Sequence, residues 1–219
     1  MKRILYLHAG AEMYGADKVL LELIKGLDKR EFEAYVILPN KGVLVEALRQ
    51  VGAKVEVIEY PILRRKYFNP KGMIDYIRSY HRYAKRIATY AKQHQINLVH
   101  NNTTAVLEGI YLKRKLKLPL LWHVHEIIVR PKFVSDFINM LMGRYADKII
   151  VYAGSHGWPA GVRRTSCHLR LHRPHWIRQL QCLSYHLCTM EWIMLLIIQK
   201  IISLFGNNLG LIRLPWLLE

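Results

Sequence analysis

Apolar and polar residues alternate in blocks along the first 151 residues. Short runs that are apolar at their centres and rich in β-branched residues have the length of strands. These runs are RILYLHA, EAYVILP, KVEVIEY, INLVHNN, LPLLWHVHE and KIIVY. Between them, apolar residues recur at the spacing of a helix, as from Val19 to Leu27 and from Met73 to Ala91. Strands that alternate with helices predict βαβ units, and the right-handed crossover rule favours a doubly wound, Rossmann-like parallel α/β sheet.

Such a sheet binds ligands beyond the carboxyl ends of its strands, where HAGAEMYGAD, HNNTT and HVHEI lie. In the first of these loops, Gly10 and Gly15 precede a helix that starts near Ala16. Glycines permit a tight turn, and helix-start N–H groups favour an anion or a hydroxyl-rich group. A phosphate-binding P-loop would continue with Lys and Ser or Thr, where Ala16 and Asp17 stand. The loop is therefore either a ligand contact or a simple connection.

The second loop crowds amide and hydroxyl side chains at a strand end. Asn101, Asn102, Thr103 and Thr104 can bind a ligand, and one or two of them can instead cap the helix that follows. The first three are candidate binding residues.

In the third loop, strand alternation sends His123 and His125 to the same side. Together with Glu126 they suggest a metal site, but a metal needs a further ligand that the sequence does not place, so we expect no metal. A site that hydrogen-bonds hydroxyl groups, such as those of a sugar, is favoured. One of the two histidines can instead be a buried core residue.

The chain carries 33 Lys and Arg against 16 Asp and Glu, a net charge of +17 that favours anionic partners. On the predicted helix from Met73 to His94, a basic stripe runs beside tyrosines. It leaves open an alternative function, a basic α/β protein that binds a membrane surface or nucleic acid. We expect no nucleic acid, because no recognised binding motif accompanies the charge. An anionic membrane surface fits the stripe better. The stripe consists of Arg78, Arg82, Lys85 and Lys92.

The expected location is the cytoplasm. No signal-peptide pattern opens the chain, because Glu12 and Asp17 follow soon after a short apolar run. The three cysteines are odd in number and lie in one third of the chain, which indicates reduced thiols. Contact of the basic stripe with lipid would make the protein peripheral on the inner face of the membrane.

The chemical character of the chain changes after Val151. Residues 152–219 hold all three cysteines, four of the five tryptophans and five of the eleven histidines, but only two carboxylates, Glu191 and Glu219. Such enrichment is typical of out-of-frame translation. We therefore predict a domain at 1–151, followed by an atypical, irregular or helical tail.

Two other interpretations of the tail are weaker. Its cysteines and histidines could form a zinc cluster, but they lack the paired spacing of zinc knuckles. The apolar run from Trp192 to Phe205 is shorter than the roughly 20 residues that a membrane span needs, so an interfacial or aggregation-prone helix is favoured.

Five ordered motifs within residues 2–151 resemble the N-terminal domain of glycosyltransferase family 4. They are KRILYLHAG, AEMYGADKVLLELIKGL, LVHNNT, PLLWHVHEI and YADKIIV. The resemblance implies one half of a GT-B fold, in which two Rossmann-like domains face each other. It also implies retaining transfer of a sugar from a nucleotide-sugar to a glycan or lipid-linked acceptor. This domain would form the acceptor side, and no cofactor is implied besides the nucleotide-sugar, which is a substrate.

The resemblance also assigns individual residues. Gly10, Tyr14 and Gly15 match the family's first loop, although Ala9-Gly10-Ala11 stands where many relatives have two adjacent glycines. His125 matches the histidine that lies near the reacting sugar in relatives, which makes it the candidate catalytic residue. The candidate acceptor-binding residues are Gly10, Tyr14, Gly15, Asn101, Asn102, Thr103, His123 and Glu126.

Relatives continue after YADKIIV with a junction Tyr-Asn-Gly-(Val/Ile)-Asp and a second domain whose paired glutamates hold the nucleotide-sugar. When the codons of Cys188–Met194 are read in a shifted register, they permit Tyr-Asn-Gly-Val-Asp. The test is restrictive because Met and Trp each have a single codon. In the same register, Phe205–Leu211 permits Arg-Glu-Gln-Phe-Gly-Ile, which resembles a later segment of relatives. We therefore expect a frameshifted tail and a chain that is inactive by itself.

Overall fold

The structure is a computed structural model that describes residues 1–125 and 132–151. Glu126 and the tail at 152–219 lie outside the described residues. The strands are β1 (Lys2–Leu7), β2 (Phe32–Leu38), β3 (Lys54–Val57), β4 (Leu98–Asn101), β5 (Leu120–Val124) and β6 (Lys148–Val151). The helices are α1 (Gly15–Lys25), α2 (Val43–Gln50), α3 (Pro70–Gln93), α4 (Glu108–Leu116) and α5 (Lys132–Tyr145), with a short 3₁₀ helix at Arg65–Tyr67.

The six strands form one parallel sheet in the order β3-β2-β1-β4-β5-β6. This confirms the predicted Rossmann-like, doubly wound fold. The direction in which the sheet grows reverses between β1 and β4. Leu7, at the end of β1, lies opposite Ile37 of β2 and Asn101 of β4. Open α/β sheets bind their ligands at such a switch point.

The main core lies on the face of the sheet towards α3, α4 and α5, which contribute Ile87, Ile110 and Ile138. Among residues 1–125 and 132–151, Trp122 of β5 has the largest fully buried side chain, and its Nε1 donates to the Thr103 carbonyl at 2.8 Å. The connections through α1 and α2 run in the opposite direction along the sheet, so these helices cover the other face. α1 buries the apolar residues that its spacing predicts, Val19, Leu20, Leu23 and Ile24.

α3 begins three residues before the predicted start. Asn69 caps it by accepting a hydrogen bond from the Gly72 N–H at 2.8 Å, and Pro70 occupies the first turn, where an N–H has no partner within the helix. The predicted basic stripe lies on its exposed side. Among the helices within 1–125 and 132–151, none is long and apolar enough to cross a membrane.

Candidate functional site

Four polar side chains form a hydrogen-bonded chain at the carboxyl ends of β1, β4 and β5. The Asp17 carboxylate contacts His8 Nε2. His8 Nδ1 lies 3.1 Å from the Asn102 side-chain nitrogen, and the Asn102 side-chain oxygen lies 3.0 Å from His125 Nε2. Asp17, His8 and Asn102 are buried, and His125 is half-buried. These hydrogen-bonded side chains therefore link the start of α1 to the end of β5.

The chemistry of the partners identifies the donor of each hydrogen bond. An ionised carboxylate only accepts, so His8 donates to Asp17 from Nε2, and its Nδ1 accepts from the Asn102 amide nitrogen. The amide oxygen is then the acceptor for His125 Nε2–H. Each of these three hydrogen bonds has one donor and one acceptor when His8 and His125 are both neutral.

Strand register explains why these residues meet. Leu7 and Asn101 are partners in the sheet, so His8 and Asn102 come directly after a matched pair of strand ends. The Asn102 backbone N–H donates to the Leu7 carbonyl at 2.9 Å and extends the pairing by one step. Since side chains alternate along a strand, His8 and Asn102 point to the face opposite Leu7 and Asn101. The ends of β1 and β4 and the register between them therefore position His8 and Asn102.

The electrostatics of the site keep the imidazoles of His100, His123 and His125 uncharged. Burial, followed by the influence of His8, lowers the pKa of His125 to about 4. Burial and the neighbouring His125 lower the pKa of His123 to about 3, and burial holds the pKa of His100 well below its usual range. Burial alone would raise the pKa of Asp17, but hydrogen bonds from His8 and from the Tyr14 backbone lower it. At neutral pH, the site thus combines the Asp17 carboxylate with neutral imidazoles at His100, His123 and His125.

The first loop places its backbone against this chain. The Tyr14 N–H donates to the second Asp17 carboxylate oxygen at 2.7 Å, while the Tyr14 side chain is 74% exposed. The left-handed conformation in the loop falls on Met13, at φ 82°, and neither Gly10 nor Gly15 has a positive φ. A Cβ on Gly15 would meet nothing within 4 Å. The loop therefore does not use these glycines for the tight turn that the sequence suggested.

The glycine that the loop does require belongs to a different segment. Gly42 caps α2, and a Cβ there would lie 2.9 Å from the carbonyl carbon of Ala11 and closer still to its oxygen. The same oxygen accepts a hydrogen bond from the Leu44 N–H at 3.1 Å. The start of α2 thus holds the first loop in place, a contact that sequence reasoning missed because the two segments are distant in the chain.

The polar residues of HNNTT divide between two roles. Asn102 joins the hydrogen-bonded chain. Asn101 points to the opposite face, donates to the Val106 carbonyl at 3.0 Å and packs against Gly109. The Thr103 hydroxyl accepts from the Ala105 N–H at 3.2 Å. Asn101 and Thr103 therefore shape the turn before α4, while Asn102 faces the candidate site.

His123 lies beside the site as predicted from alternation, with its ring centroid 4.0 Å from that of His125. It is 2% exposed, and neither ring nitrogen has a hydrogen-bond partner. Among residues 1–125 and 132–151, no group of three or more His, Cys, Asp or Glu side chains could hold a metal ion. His123 is therefore a buried polar ring that packs against His125.

Sequence reasoning also missed three residues that build the site. His8 lies in the first loop and Asp17 in the first turn of α1, and the signal for Asp17 was its place three residues after the helix cap, where a carboxylate can bond back to the cap backbone. Tyr60 follows β3, and its hydroxyl accepts from the His8 N–H at 3.0 Å and contacts the carbonyls of His8 and Ile37. Nothing in the sequence around Tyr60 indicated this contact.

A doubly wound domain with a polar site at its switch point belongs to the broad class of Rossmann-like ligand-binding domains. The sequence profile of glycosyltransferase family 4 matches residues 13–156, about two thirds of the chain. The chain therefore belongs to glycosyltransferase family 4. Among curated protein sequences, none matches it.

Comparison with the solved structures of HepE agrees on the fold. The crystal structure of Anabaena HepE with UDP and glucose matches with a TM-score of 0.51 and 22% identity, over 68% of this chain and 38% of HepE. HepE with UDP-glucose gives a TM-score of 0.50, 22% identity and coverages of 68% and 37%. Acinetobacter baumannii MurG matches with a TM-score of 0.46 and 17% identity, over 73% of this chain and 43% of MurG. The chain thus spans well under half of the length of HepE.

Proposed function

We propose that this chain supplies the acceptor side of a retaining glycosyltransferase, which moves a sugar from a nucleotide-sugar to a glycan or lipid-linked acceptor. Family membership supports sugar transfer in general. The observation that carries the assignment to this site is the hydrogen-bonded chain from Asp17 through His8 and Asn102 to His125. It crosses the switch point of the sheet between β1 and β4, where open α/β sheets bind their ligands.

The proposed role of His125 is to hydrogen-bond a hydroxyl of the reacting sugar. Its Nε2–H is directed at Asn102, and Asn102 is held by His8, so the orientation of the ring is fixed through two buried side chains. The lowered pKa keeps this ring neutral at physiological pH. A neutral, oriented ring positions a hydroxyl group without adding a charge to the cleft, and positioning of this kind lowers a reaction barrier substantially.

The first loop has the second role in this proposal. The start of α1, at Gly15 and Ala16, presents backbone N–H groups beside the buried Asp17. Helix-start N–H groups bind phosphate or hydroxyl oxygens. Tyr14, exposed at the same turn, would line the cleft against the acceptor.

We further infer that the 219-residue chain does not transfer sugar by itself. Residues 152–219 contain only Glu191 and Glu219 as carboxylates, 28 positions apart, and so cannot supply the paired glutamates that the resemblance implies for the donor site. Donor and acceptor must be held together for transfer, an effect worth roughly 7–11 kcal/mol of barrier. A shifted reading frame accounts for the composition of this tail, and sequencing the encoding DNA would test that account directly.

The experiment separates binding from turnover. The full chain is mixed with a panel of glycans and lipid-linked acceptors, and binding is followed by saturation-transfer NMR. An acceptor should bind to the wild type, weaken on His125→Ala and stay unchanged on His81→Ala, which alters an exposed histidine of α3. Equal binding of the acceptors to all three proteins, or binding to none of them, would refute the proposed site.

Turnover is measured in parallel with labelled nucleotide-sugars. We expect no product above the level of the His125→Ala variant. Robust transfer that this variant abolishes would support the site and overturn the proposed inactivity of the chain.

We also propose that the protein acts in the cytoplasm, at the inner face of an anionic membrane. The N-terminal parts of α3 and α5 expose apolar side chains next to basic residues: Ile74 and Ile77 are 51% and 47% exposed, and Phe133 and Phe137 are 65% and 47% exposed. Phe133 contacts Phe68, just before α3, with ring centroids 6.1 Å apart, which brings the two helix starts together. Both helices start at the edge of the sheet where His125 lies.

Liposome flotation tests this attachment. The wild-type chain should float with vesicles that contain an anionic lipid and much less with neutral vesicles. Replacing Ile74 and Phe133 by serine should reduce flotation, whereas Val43→Ser, another exposed apolar residue at 67%, should not. Equal binding to neutral vesicles would exclude the electrostatic contribution.

A further inference from the structure

A groove of about 430 Å³ lies between α3 and α4, away from the candidate site. Ligand pockets of proteins commonly measure about 300–1,000 Å³, so the groove has the size of a small-molecule site. Both helices run from the carboxyl edge of the sheet to its amino edge, and the groove is formed by their later turns. It therefore lies towards the edge opposite His125. Its lining residues are Lys85, Ala88, Thr89, Lys92, Tyr111, Lys115 and Leu116.

Three ammonium groups surround this groove without a counter-ion. Lys85, Lys92 and Lys115 are exposed, and no carboxylate in residues 1–125 and 132–151 pairs with them. The neighbouring Lys113 differs, because it binds Asp147 at 2.6 Å. On α3, the only carboxylate is Asp75 near the opposite end, and the only carboxylate of α4, Glu108, is fully buried in the core.

The ends of the two helices offset part of this charge. Each carboxyl end carries a partial charge of about −0.5, and lysines in the last turn are favourable for that reason alone. Two helix ends therefore account for about one of the three positive charges, which leaves a net charge of about +2 at the groove. Helix stabilisation does not require this excess.

The groove also has the open space of an anion site and one candidate neutral donor. Lys85 and Lys92 are seven residues apart and lie on one side of α3, with the small Ala88 buried between them, which leaves open space. Tyr111 of α4 is half-buried and lines the same space, so its phenolic hydroxyl is the candidate neutral donor. The Thr89 hydroxyl donates to the Lys85 carbonyl at 3.2 Å, so its oxygen is turned towards its own helix.

We propose that the α3–α4 groove binds a phosphate group, with Lys85, Lys92 and Lys115 as charge partners and Tyr111 as a hydroxyl donor. A phosphate monoester carries a charge of about −1.5 to −2 at neutral pH, which matches the excess charge of the groove. Lysine binds phosphate as a point charge and needs no paired geometry. The source of the phosphate is either the headgroup of an anionic phospholipid or a soluble phosphate compound. The proposal does not depend on sugar transfer.

The test uses the full chain and two matched triple variants. One variant is Lys85→Gln, Lys92→Gln and Lys115→Gln. The control is Lys25→Gln, Lys29→Gln and Lys41→Gln, which alters three exposed lysines elsewhere. Each variant loses three charges and lowers the net charge from +17 to +14. Thermal unfolding by circular dichroism checks that both remain folded.

Binding of tripolyphosphate is measured by calorimetry, and binding to phosphatidylcholine vesicles with and without phosphatidylglycerol by flotation. The groove variant should lose about tenfold or more in affinity for at least one of these ligands, and the control less than about twofold. Tyr111→Phe, which leaves the charge unchanged, should weaken the same ligand by about twofold to fivefold.

The arms of the experiment distinguish the two sources. Groove-dependent binding of tripolyphosphate alone assigns a soluble phosphate compound, and groove-dependent flotation alone assigns a lipid headgroup. Equal losses in the two triple variants would show diffuse charge and overturn the proposal, as would the absence of binding in both arms. Tighter binding to a DNA duplex that both triple variants weaken equally would assign the charge to nucleic acid instead.

Discussion

His125 Nε2 lies 3.0 Å from the side-chain oxygen of Asn102, whose nitrogen lies 3.1 Å from His8 Nδ1. An amide donates only through its nitrogen and accepts only through its oxygen. Asn102 therefore satisfies both rings in one orientation, as long as both histidines are neutral. Protonation of His8 at Nδ1 would set two donors against each other, so this amide couples the protonation of the first loop to the orientation of His125.

The first prediction concerns Asn102→Asp. A carboxylate at this position keeps the acceptor for His125 and adds a negative charge, which favours the protonated ring. The pKa of His125 should rise from about 4 by at least about one unit. NMR titration of the ring proton measures this value. Gln93→Glu, which adds the same charge on an exposed side of α3, should leave it unchanged, and an unchanged value in Asn102→Asp would refute the hydrogen-bonded chain.

A second prediction concerns stability in acid. The folded-state pKa of His123, about 3, lies below its unfolded value of about 6.5, so the unfolded chain binds more protons between these values. The contribution of this ring to stability is present above about pH 6.5 and is lost as the pH falls towards 3. His123→Leu removes this loss and two unpartnered ring nitrogens.

Urea unfolding of the two proteins measures the effect. From about pH 7.5 to about pH 5, the stability of His123→Leu relative to wild type should increase by about 2 kcal/mol. The exposed His81→Leu should change by less than about 0.5 kcal/mol over the same range. A parallel pH dependence of wild type and His123→Leu would mean that His123 is protonated in the folded protein.

Glu108 gives the stability of the protein the opposite pH dependence, at higher pH. It is fully buried, one of its oxygens has no partner, and burial raises its pKa to about 8. The folded protein then holds a proton that the unfolded chain releases above about pH 4.3, so the stability contribution is present in acid and is lost as the pH rises through about 8. Glu108→Gln cannot ionise. Between about pH 7 and pH 9, the wild type should lose about 1 kcal/mol or more relative to this variant, and equal slopes would exclude a buried neutral carboxyl.

The contact between Gly42 and Ala11 gives the fourth prediction. A methyl group on Gly42 would overlap the Ala11 backbone, which cannot move without displacing the first loop. Gly42→Ala should therefore reduce the free energy of unfolding by about 2 kcal/mol or more. Gly15→Ala is the matched control, because a Cβ there meets nothing within 4 Å, and it should change stability by less than about 0.5 kcal/mol. Similar effects of the two substitutions would contradict the close approach.

The sequence by itself determined the alternation of strands and helices, the parallel sheet and the edge at which the site lies. These features follow from local periodicity: apolar runs of strand length and helical spacing are readable without knowing any distant contact. The same periodicity placed His123 and His125 on one side of β5, where their rings are 4.0 Å apart. Helix ends were less well predicted, and α3 began earlier because Asn69 and Pro70 start it.

Only the tertiary structure decided which polar residues meet. Asn101 and Asn102 are neighbours of the same type, and the pairing of β4 with β1 sends one to the turn before α4 and the other to His8. Gly42 supports a loop some thirty residues away, and Tyr60 reaches the His8 backbone from the end of β3. Such contacts depend on the register between strands and on the close packing of segments far apart in sequence, and neither is encoded in the local pattern of apolar and polar residues.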